Sequence, residues 1–325
     1  PRFLHLVSID LLDRRLAKMV LYSESDVLKK GIELLRPQSK TINRTKNLSE
    51  LFKNNFGSSP LVLSQVWADI LRGDLETGER KIALCDYSER GLIKFLCANY
   101  VLWTYPKNYS VAKCSLGVGD KKVCGKNLWQ WVSHIQALKS KKIQWIEELD
   151  DEEAEIFIIS VDGTDCPVKE KATKHFNVNT KDCSHKFKSA GLRYEVAVAI
   201  YHDQIVWING PFPAGSHNDS KIFVQHGLSR RIKPGKLAIA DAGYATRDET
   251  AANVLSLPNT KDSKDVAKFK SRARCRHESV NSRIKNYGAM EQKFRHKRDH
   301  HQSAFEAICV LVQYQIENGA YLFDV

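Results

Sequence analysis

The chain has 325 residues, of which 42% are hydrophobic and 27% are charged, with 17 Gly and 9 Pro. This composition is too apolar and too varied for a disordered protein, and the length allows one large domain or two ordinary ones. The formal net charge of +12 favours a polyanionic partner, of which nucleic acid is the commonest, although surface charge that only aids solubility is the alternative.

Two further classes of protein are disfavoured by the sequence. No apolar run approaches the roughly 18–20 residues of a membrane-spanning helix, so we expect no membrane partner. The 8 cysteines include no pair with CxxC spacing, which argues against a zinc site or a disulfide framework and suits a reducing compartment.

Residues 1–150 predict a helical N-terminal region. Apolar residues recur at helical spacing in Leu61–Leu71, Leu92–Val101 and Leu128–Leu138. An acidic stretch, Glu147–Glu153, then predicts a solvated boundary between the two halves of the chain.

One part of this region is compatible with a helix-turn-helix. Tyr109–Ser115 and Asp120–Val132 would be its helices, and Leu116–Gly119 would be the turn between them. The second helix would carry lysines towards a DNA groove, but Gly125 interrupts it. A plain helical packing domain is the alternative interpretation.

From residue 156 the pattern changes to short β-branched and apolar runs, which predict strands. The predicted strands are Ile156–Val161, Tyr194–Ile200, Gln204–Asn209, Leu237–Ala240 and Asn253–Leu257. A helix is predicted at Asp219–Leu228, capped by Asn218 or Asp219, and a long basic helix from Asp265 to Tyr287 with Gly288 as its stop. This order predicts a ribonuclease H-like α/β fold in residues 151–325, with a mixed sheet flanked by helices.

Four acidic residues are placed where they could meet. Asp162 follows the first predicted strand and Asp241 the fourth, so both would lie at one edge of the sheet if these strands are neighbours. Asp219 begins the intervening helix and could approach the same edge. Glu278 is an acid inside a basic helix, which is unusual unless a cation faces it. Carboxylates are the natural ligands for the pair of Mg²⁺ (or Mn²⁺) ions that cleave phosphodiesters.

Each of these acids also has a purely structural interpretation. Asp162 and Asp241 each precede or approach a glycine and could be turn residues, and Asp219 could be only a helix cap. Glu278 could pair with Arg274 four residues before it. The joint pattern is more specific than any single residue, because two acids end apolar strands and a third lies on a helix beyond them.

The same residues fall in four ordered blocks that resemble the PIF/Harbinger-type transposases, which are DDE superfamily endonucleases. Val161–Val168 resembles the first-aspartate motif of that family, an apolar strand leading into Asp-Gly-Thr. Gly215–Phe223 resembles its Gly-Ser-x-x-Asp block, and Ala240–Tyr244 its Asp-x-Gly-Tyr block. Arg274–Lys285 resembles its Arg-x-x-x-Glu helix with a following Ile-Lys. The likeness extends over about residues 150–315.

The resemblance implies a metal-dependent DNA endonuclease or transposase. Asp162, Asp241 and Glu278 would hold two divalent ions, and Asp219 would be an auxiliary ligand or would position water. The alternative is that Asp219, in the Gly-Ser-x-x-Asp block, replaces Asp241 as the second core ligand. Asp165 departs from the pattern, because the family usually has His there. Relatives often work as oligomers and with a separately encoded DNA-binding protein, so both kinds of partner are expectations.

A set of basic residues near these acids predicts where DNA phosphates would lie. The predicted DNA-binding residues are Lys186, Lys188, Arg193, Arg272, Arg274, Arg276, Arg283 and Lys285. A solvated basic face is the alternative. The competing function is a domesticated DNA-binding protein without catalysis. DNA as a partner implies a nuclear location, with weak support from the lysines in Lys139–Lys142.

Overall fold

The computed structural model of the chain describes residues 21–35, 47–76, 87–106, 121–153, 155–170 and 180–325. The chain divides into two compact units between Leu138 and Lys139, so residues 139–150 belong to the second unit. The sequence had assigned these residues to the N-terminal region. Among the described helices, none is long and apolar enough to cross a membrane.

The first unit is helical throughout its described residues. Its helices are α1 (Glu24–Leu35), α2 (Leu48–Phe56), α3 (Pro60–Glu76), α4 (Glu89–Thr104) and α5 (Lys121–Ala137). The three helices that apolar spacing predicted correspond to α3, α4 and α5. Their core contains Trp67, Trp131 and Phe95, and the two indole rings stack with centroids 5.3 Å apart. Trp131 is therefore a core anchor.

The helix-turn-helix prediction falls largely on residues 109–120, which lie outside the described residues. Its second helix does form, as α5, and it continues through Gly125 without a break. A glycine costs a helix interior about 1 kcal/mol relative to alanine, which the flanking turns can absorb.

The second unit combines a sheet with helices. Its helices are α6 (Lys139–Lys142), α7 (Asp219–Gln225), α8 (Leu228–Arg231), α9 (Glu249–Ala252), α10 (Lys264–Lys285), α11 (Gly288–Glu291) and α12 (Asp299–Glu317). Its strands are β1 (Phe157–Pro167), β2 (Cys183–Ser184), β3 (Ser189–Ala199), β4 (Ile205–Pro213), β5 (Leu237–Ile239) and β6 (Leu255–Ser256). Single 3₁₀ turns span Glu147–Asp150, Thr180–Asp182 and Ala242–Tyr244.

The sheet is mixed, with β1 at its centre. One side of β1 pairs with β3, which in turn pairs with β2 and β4, and all of these pairings are antiparallel. The other side of β1 pairs in parallel with β5, and β6 follows in parallel with β5. The two strands that precede the predicted acids Asp162 and Asp241 are therefore neighbours.

β3 begins at Ser189 and not at the predicted Tyr194, and three further predicted boundaries need correction. β1 continues to Pro167 because its antiparallel pairing with β3 extends that far, so Asp162 lies inside the strand and not after it. The helix predicted at Asp219–Leu228 breaks at Gly227, whose φ of 107° lies in the left-handed region. The long basic helix ends at Lys285, and Gly288 begins α11 instead of stopping α10.

The alternating side chains of β1 face two different layers of helices. Ile159 and Val161 pack with Phe223 of α7, and we call this side of the sheet the α7 face. Ser160 contacts His277 of α10, so the other side is the α10 face. Because side chains alternate along a strand, Asp162 belongs to the α10 face and Gly163 to the α7 face.

Candidate active site

Asp162 is held on the α10 face of β1 by two hydrogen bonds. The side-chain amide of Asn281 donates to its Oδ2 at 2.9 Å, and the backbone N–H of Gly163 donates to its Oδ1 at 2.8 Å. Asn281 lies on α10, so this helix packs directly over the carboxylate. The contact shows that Asp162 faces the helix that carries Glu278.

Helix α10 runs along β1 in the same direction. His277 Nδ1 lies 3.1 Å from both the hydroxyl and the carbonyl oxygen of Ser160, and Asn281 contacts Asp162. Four helical residues advance about 6 Å and two strand residues about 6.6 Å, so the two elements stay in step. Glu278 follows His277 directly and lies three residues before Asn281, which puts it level with this part of β1. Its side chain is exposed, and it has no hydrogen bond or ion pair with another described residue.

Asp241 follows β5, the parallel neighbour of β1. Ser160 is in register with Ile239, so Asp241 comes just beyond the end of β5, close to the level of Asp162. Its Oδ1 accepts a hydrogen bond from the backbone N–H of Gly243 at 2.8 Å, and this caps the following 3₁₀ turn. The turn role that the sequence allowed for Asp241 as an alternative therefore exists, and it leaves the other carboxylate oxygen available.

Asp219 approaches the same place from the α7 face. It begins α7, whose cap is supplied by the neighbouring Asn218 through a 2.9 Å bond to Lys221 N. A Cβ added to Gly163 would lie only 1.9 Å from Asp219 Oδ1. A Cβ added to Gly243 would lie 3.4 Å from Asp219 Oδ2 and 3.0 Å from Asp241 Oδ1. Two glycines thus make room for the carboxylates of Asp219 and Asp241 to come together.

The three aspartates influence one another electrostatically. Burial raises the pKa of Asp162, and the charge of Asp241 adds to the shift, while Lys186 and Lys285 oppose it. Burial also raises the pKa of Asp219, where Arg193 opposes the shift and the charges of both other aspartates add to it. The site therefore concentrates negative charge that nearby cations only partly offset.

The donor set suits a hard divalent cation, but the described residues do not form a ready-made cage. Among them, no group of three or more His, Cys, Asp or Glu is close enough to hold one ion. Two buried oxygens at the site nevertheless lack a hydrogen bond: Asn281 Oδ1, and Asp219 Oδ1, which lies 3.4 Å from Arg193 Nη1. Mg²⁺ and Mn²⁺ prefer oxygen ligands, carboxylates above all, so these residues fit such an ion chemically.

Asp165 and Arg193 form a buried ion pair beside the aspartates. Arg193 Nε lies 2.6 Å from Asp165 Oδ1, and Nη2 lies 3.1 Å from Oδ2. Burial works against ionisation, yet the bonds from Arg193 and Ser184 lower the pKa of Asp165. Asp165, at the position where the resembling family usually has His, is thus the anchor of an arginine.

Sequence reasoning missed Glu195, a buried carboxyl on the α7 face. Glu195 is in register with Gly163 and is 1% exposed, and Trp207 Nε1 donates to its Oε2 at 3.2 Å. Burial raises its pKa to about 8. Its Oε1 and the hydroxyl of the fully buried Tyr244 both lack a partner. The sequence feature that could have pointed to Glu195 is an acidic residue within an otherwise apolar predicted strand.

The predicted basic residues divide into two groups. Lys186 and Lys188 are exposed on the turn between β2 and β3, and Lys285 is half-buried on α10. Both Lys186 and Lys285 are near enough to Asp162 to lower its pKa. The turn is well ordered, because Ser184 Oγ accepts from Lys186 N at 3.2 Å and Ser184 O accepts from Lys188 N at 2.9 Å.

Several predicted DNA-binding arginines of α10 point elsewhere. Arg276 is buried, and it bonds to Asp203 Oδ1 at 3.0 Å and to Phe323 O at 2.6 Å. Arg272 and Arg283 donate to carbonyl groups of residues 320–324. Arg274 differs, because it has no ion pair within the described part of the chain. The C-terminal segment therefore takes up one face of the basic helix.

Part of the chain matches a known protein family. Residues 161–313 match the family described as DDE superfamily endonuclease. The matched segment begins within β1 and ends within α12, so it contains all four predicted acids. The match indicates a nuclease of the transposase type, for which DNA is the implied substrate. No curated protein and no solved structure matches the chain.

Proposed function

We propose that this chain is a DDE nuclease of the transposase kind, built on a ribonuclease H-like fold, that cleaves DNA and joins it. One observation supports this most strongly. The Asn281–Asp162 bond sets the helix of Glu278 against the strand of Asp162, beside the strand that leads to Asp241. We infer from this arrangement that three acids distant in the chain act together at one part of the sheet.

Asp162, Asp241 and Glu278 would hold two divalent ions, Mg²⁺ or Mn²⁺, with Asp219 as an auxiliary ligand. When bound, such ions make water nucleophilic at neutral pH and stabilise the leaving oxygen of a phosphodiester. The exposed position of Glu278 leaves its carboxylate free to turn towards the aspartates, because no partner among the described residues holds it.

The remaining residues would prepare the site for a polyanion. The charges of Lys186 and Lys285 both act on Asp162, and these lysines would attract the phosphate to be cut. Lys188 and Arg274 would extend this cationic surface along the DNA backbone. Preorganised cations also offset the charge that develops during phosphoryl transfer. We leave Arg272, Arg276 and Arg283 out of this surface, because carbonyl groups of residues 199–203 and 320–324 already occupy their donors.

We further propose a nuclear location, assembly as a homo-oligomer, and cooperation with a separate DNA-binding protein, as in PIF/Harbinger elements. The support is the resemblance of the four motif blocks. A search for inverted terminal repeats around the gene would test this: their presence would support an origin in such an element.

The nuclease proposal is tested with supercoiled plasmid and with linear DNA, in Mg²⁺ and in Mn²⁺. Wild type should nick DNA in a metal-dependent manner. Asp162→Asn and Glu278→Gln should lose cleavage and keep DNA binding. Asp265→Asn is the matched control, because it makes the same change of charge on an exposed residue of α10 and should cleave like wild type. Undiminished cleavage by the Asp162 and Glu278 variants would refute the proposal.

A DNA-binding protein without catalysis is the second candidate. It is favoured by the absence, within the described residues, of a group of three acids or other ligands close enough to hold one metal ion. This candidate predicts salt-sensitive DNA binding with no cleavage in either metal. Metal-dependent nicking that depends on Asp162 would exclude it.

A further inference from the structure

We propose that Arg193 is a positioning residue for Asp219. Clamped by Asp165, its guanidinium holds Asp219 Oδ1 over Gly163 and leaves Oδ2 beside Asp241. This inference rests on the proposed function, because it assigns Asp219 a part in the same metal site. It replaces the phosphate contact that the sequence suggested for Arg193.

The clamp is rigid because Asp165 takes two nitrogens of the guanidinium at once. The Nε–Oδ1 and Nη2–Oδ2 distances are 2.6 and 3.1 Å, and the Asp165 side chain is 0% exposed. Ser184 Oγ donates to Asp165 Oδ2 at 2.6 Å, which fixes the carboxylate in turn. A planar fork held at two points has little freedom to rotate, so the direction of its third nitrogen is set.

That third nitrogen reaches the segment that carries Asp219. Arg193 Nη1 lies 3.2 Å from the carbonyl oxygen of His217 and 3.4 Å from Asp219 Oδ1. One guanidinium thereby connects β1 and β3 to the start of α7. The Arg193 side chain is only 9% exposed, so a DNA phosphate could not reach it without breaking these contacts.

The position of Asp219 matters because its two oxygens face different neighbours. Oδ1 is buried over Gly163 without a hydrogen bond, and Oδ2 lies on the Gly243 side, where Asp241 Oδ1 also lies. A rotation of the carboxylate would carry Oδ2 away from Asp241. Arg193 is the described cation that contacts Asp219 directly and so opposes that rotation.

Positioning and simple charge make opposite predictions for metal affinity. Removing a cation beside a metal site strengthens metal binding if only charge matters, because the repulsion of the metal ion is lost. Removing a clamp weakens metal binding, because a ligand loses its place. Arg193→Gln removes both charge and clamp, whereas Arg193→Lys keeps the charge and loses the two-point clamp.

The experiment measures Mn²⁺ binding to full-length, DNA-free protein by the loss of the free-ion signal in electron paramagnetic resonance. We expect Arg193→Lys and Arg193→Gln to weaken Mn²⁺ binding about tenfold or more. The double variant Arg193→Lys/Asp219→Asn should bind Mn²⁺ as weakly as Asp219→Asn alone, because Arg193 acts through Asp219. Arg230→Lys and Arg230→Gln are the matched controls on an exposed arginine of α8, and they should bind Mn²⁺ like wild type.

Three outcomes would overturn the inference. Tighter binding in Arg193→Gln with no change in Arg193→Lys would mean a role through charge alone. Unchanged Mn²⁺ binding, with a salt dependence of DNA affinity lowered by about one phosphate contact, would mean a DNA contact. If Arg193→Gln does not fold, Arg193→Lys and Asp165→Asn are decisive, and wild-type affinity in both would refute positioning.

The same measurement separates this inference from the proposed nuclease. A wild-type protein that binds no Mn²⁺ would remove the metal site, and with it both proposals. A wild-type protein that binds Mn²⁺ and nicks DNA, together with Arg193 variants of equal affinity, would refute only the positioning role.

Discussion

Gly163 shows how a single missing side chain shapes the site. The residue lies on the α7 face of β1, and the place of its absent Cβ is taken by the carboxylate of Asp219. Glycine is required here because any Cβ would collide with the Asp219 carboxylate and keep it away from β1. Asp219 can therefore reach β1 from the α7 face, next to Asp162, whose own carboxylate lies on the α10 face.

Gly163→Ala should abolish most cleavage while leaving the protein folded. The new methyl group would stand 1.9 Å from Asp219 Oδ1, so the carboxylate must move. Displacement of a reacting group by about 1 Å can cost roughly 10²-fold in rate. Steady-state nicking kinetics would measure the loss. Gly73→Ala is the control, because a Cβ there would have nothing within 4 Å, and equal rates for the two variants would contradict the prediction.

Glu195→Gln should flatten the dependence of stability on pH. Burial raises the pKa of Glu195 to about 8, from an ordinary value of 4.5. Between these pH values the folded protein binds a proton that the unfolded chain has lost, so wild-type stability falls as pH rises. Glutamine does not titrate, so the variant should gain stability relative to wild type from pH 5 to pH 8. Urea unfolding at several pH values would test this. If the free energy of unfolding of wild type and of Glu195→Gln depended on pH in the same way, the prediction would be refuted.

At the scale of elements, α10 has two different basic faces. On one face the arginine donors already have acceptors within the protein. Arg276 bonds to Asp203 and to backbone carbonyl groups, and its side chain is only 3% exposed. Arg274 has no ion pair within the described residues, and Lys285 affects Asp162 through space. The helix therefore serves packing with some of its arginines and leaves others for a polyanion.

Arg276→Ala and Arg274→Ala should separate these two roles. Removing Arg276 leaves Asp203 and several carbonyl groups without their donor, which should cost about 3 kcal/mol of folding free energy. Removing Arg274 should leave stability within about 0.5 kcal/mol and lower the salt dependence of DNA affinity by about one phosphate contact. Denaturant unfolding and fluorescence anisotropy would measure the two effects. If both variants lost the same stability and showed the same salt dependence of DNA affinity, the two faces would not differ in role.

The elements themselves were largely predictable from local sequence. Apolar spacing identified α3, α4 and α5, and β-branched runs identified the centres of β1, β3, β4 and β5. The ends were less predictable, because the length of β1 depends on how far β3 pairs with it. The two-residue strand β2 was missed, since its pairing with β3 is not visible in so short a run.

At the scale of the whole molecule, the second unit begins before the acidic stretch that suggested a boundary. Lys139 Nζ lies 2.8 Å from Glu306 of α12, and Lys142 stacks over Tyr314 at 4.1 Å. Leu149 is buried in the core of the sheet. Residues 139–150 are thus part of the fold that carries the candidate site.

A fragment of residues 139–325 should therefore be more stable than one of residues 151–325. The shorter fragment lacks α6 and Leu149, and a buried leucine alone contributes about 2 kcal/mol or more. Thermal unfolding of the two fragments would measure the difference. Equal melting temperatures would mean that residues 139–150 contribute nothing to this unit.

The sequence by itself determined the centres of several longer helices and strands, the basic character and the four acids, because these follow from local composition and from motif order. Only the tertiary structure decided that Asp165 anchors Arg193, that Arg276 is a packing residue and that Glu195 is buried beside Asp219. The physical reason is that a side chain's role depends on its partners across the sheet and from later helices. Those partners are distant in the chain, so no local pattern could reveal them.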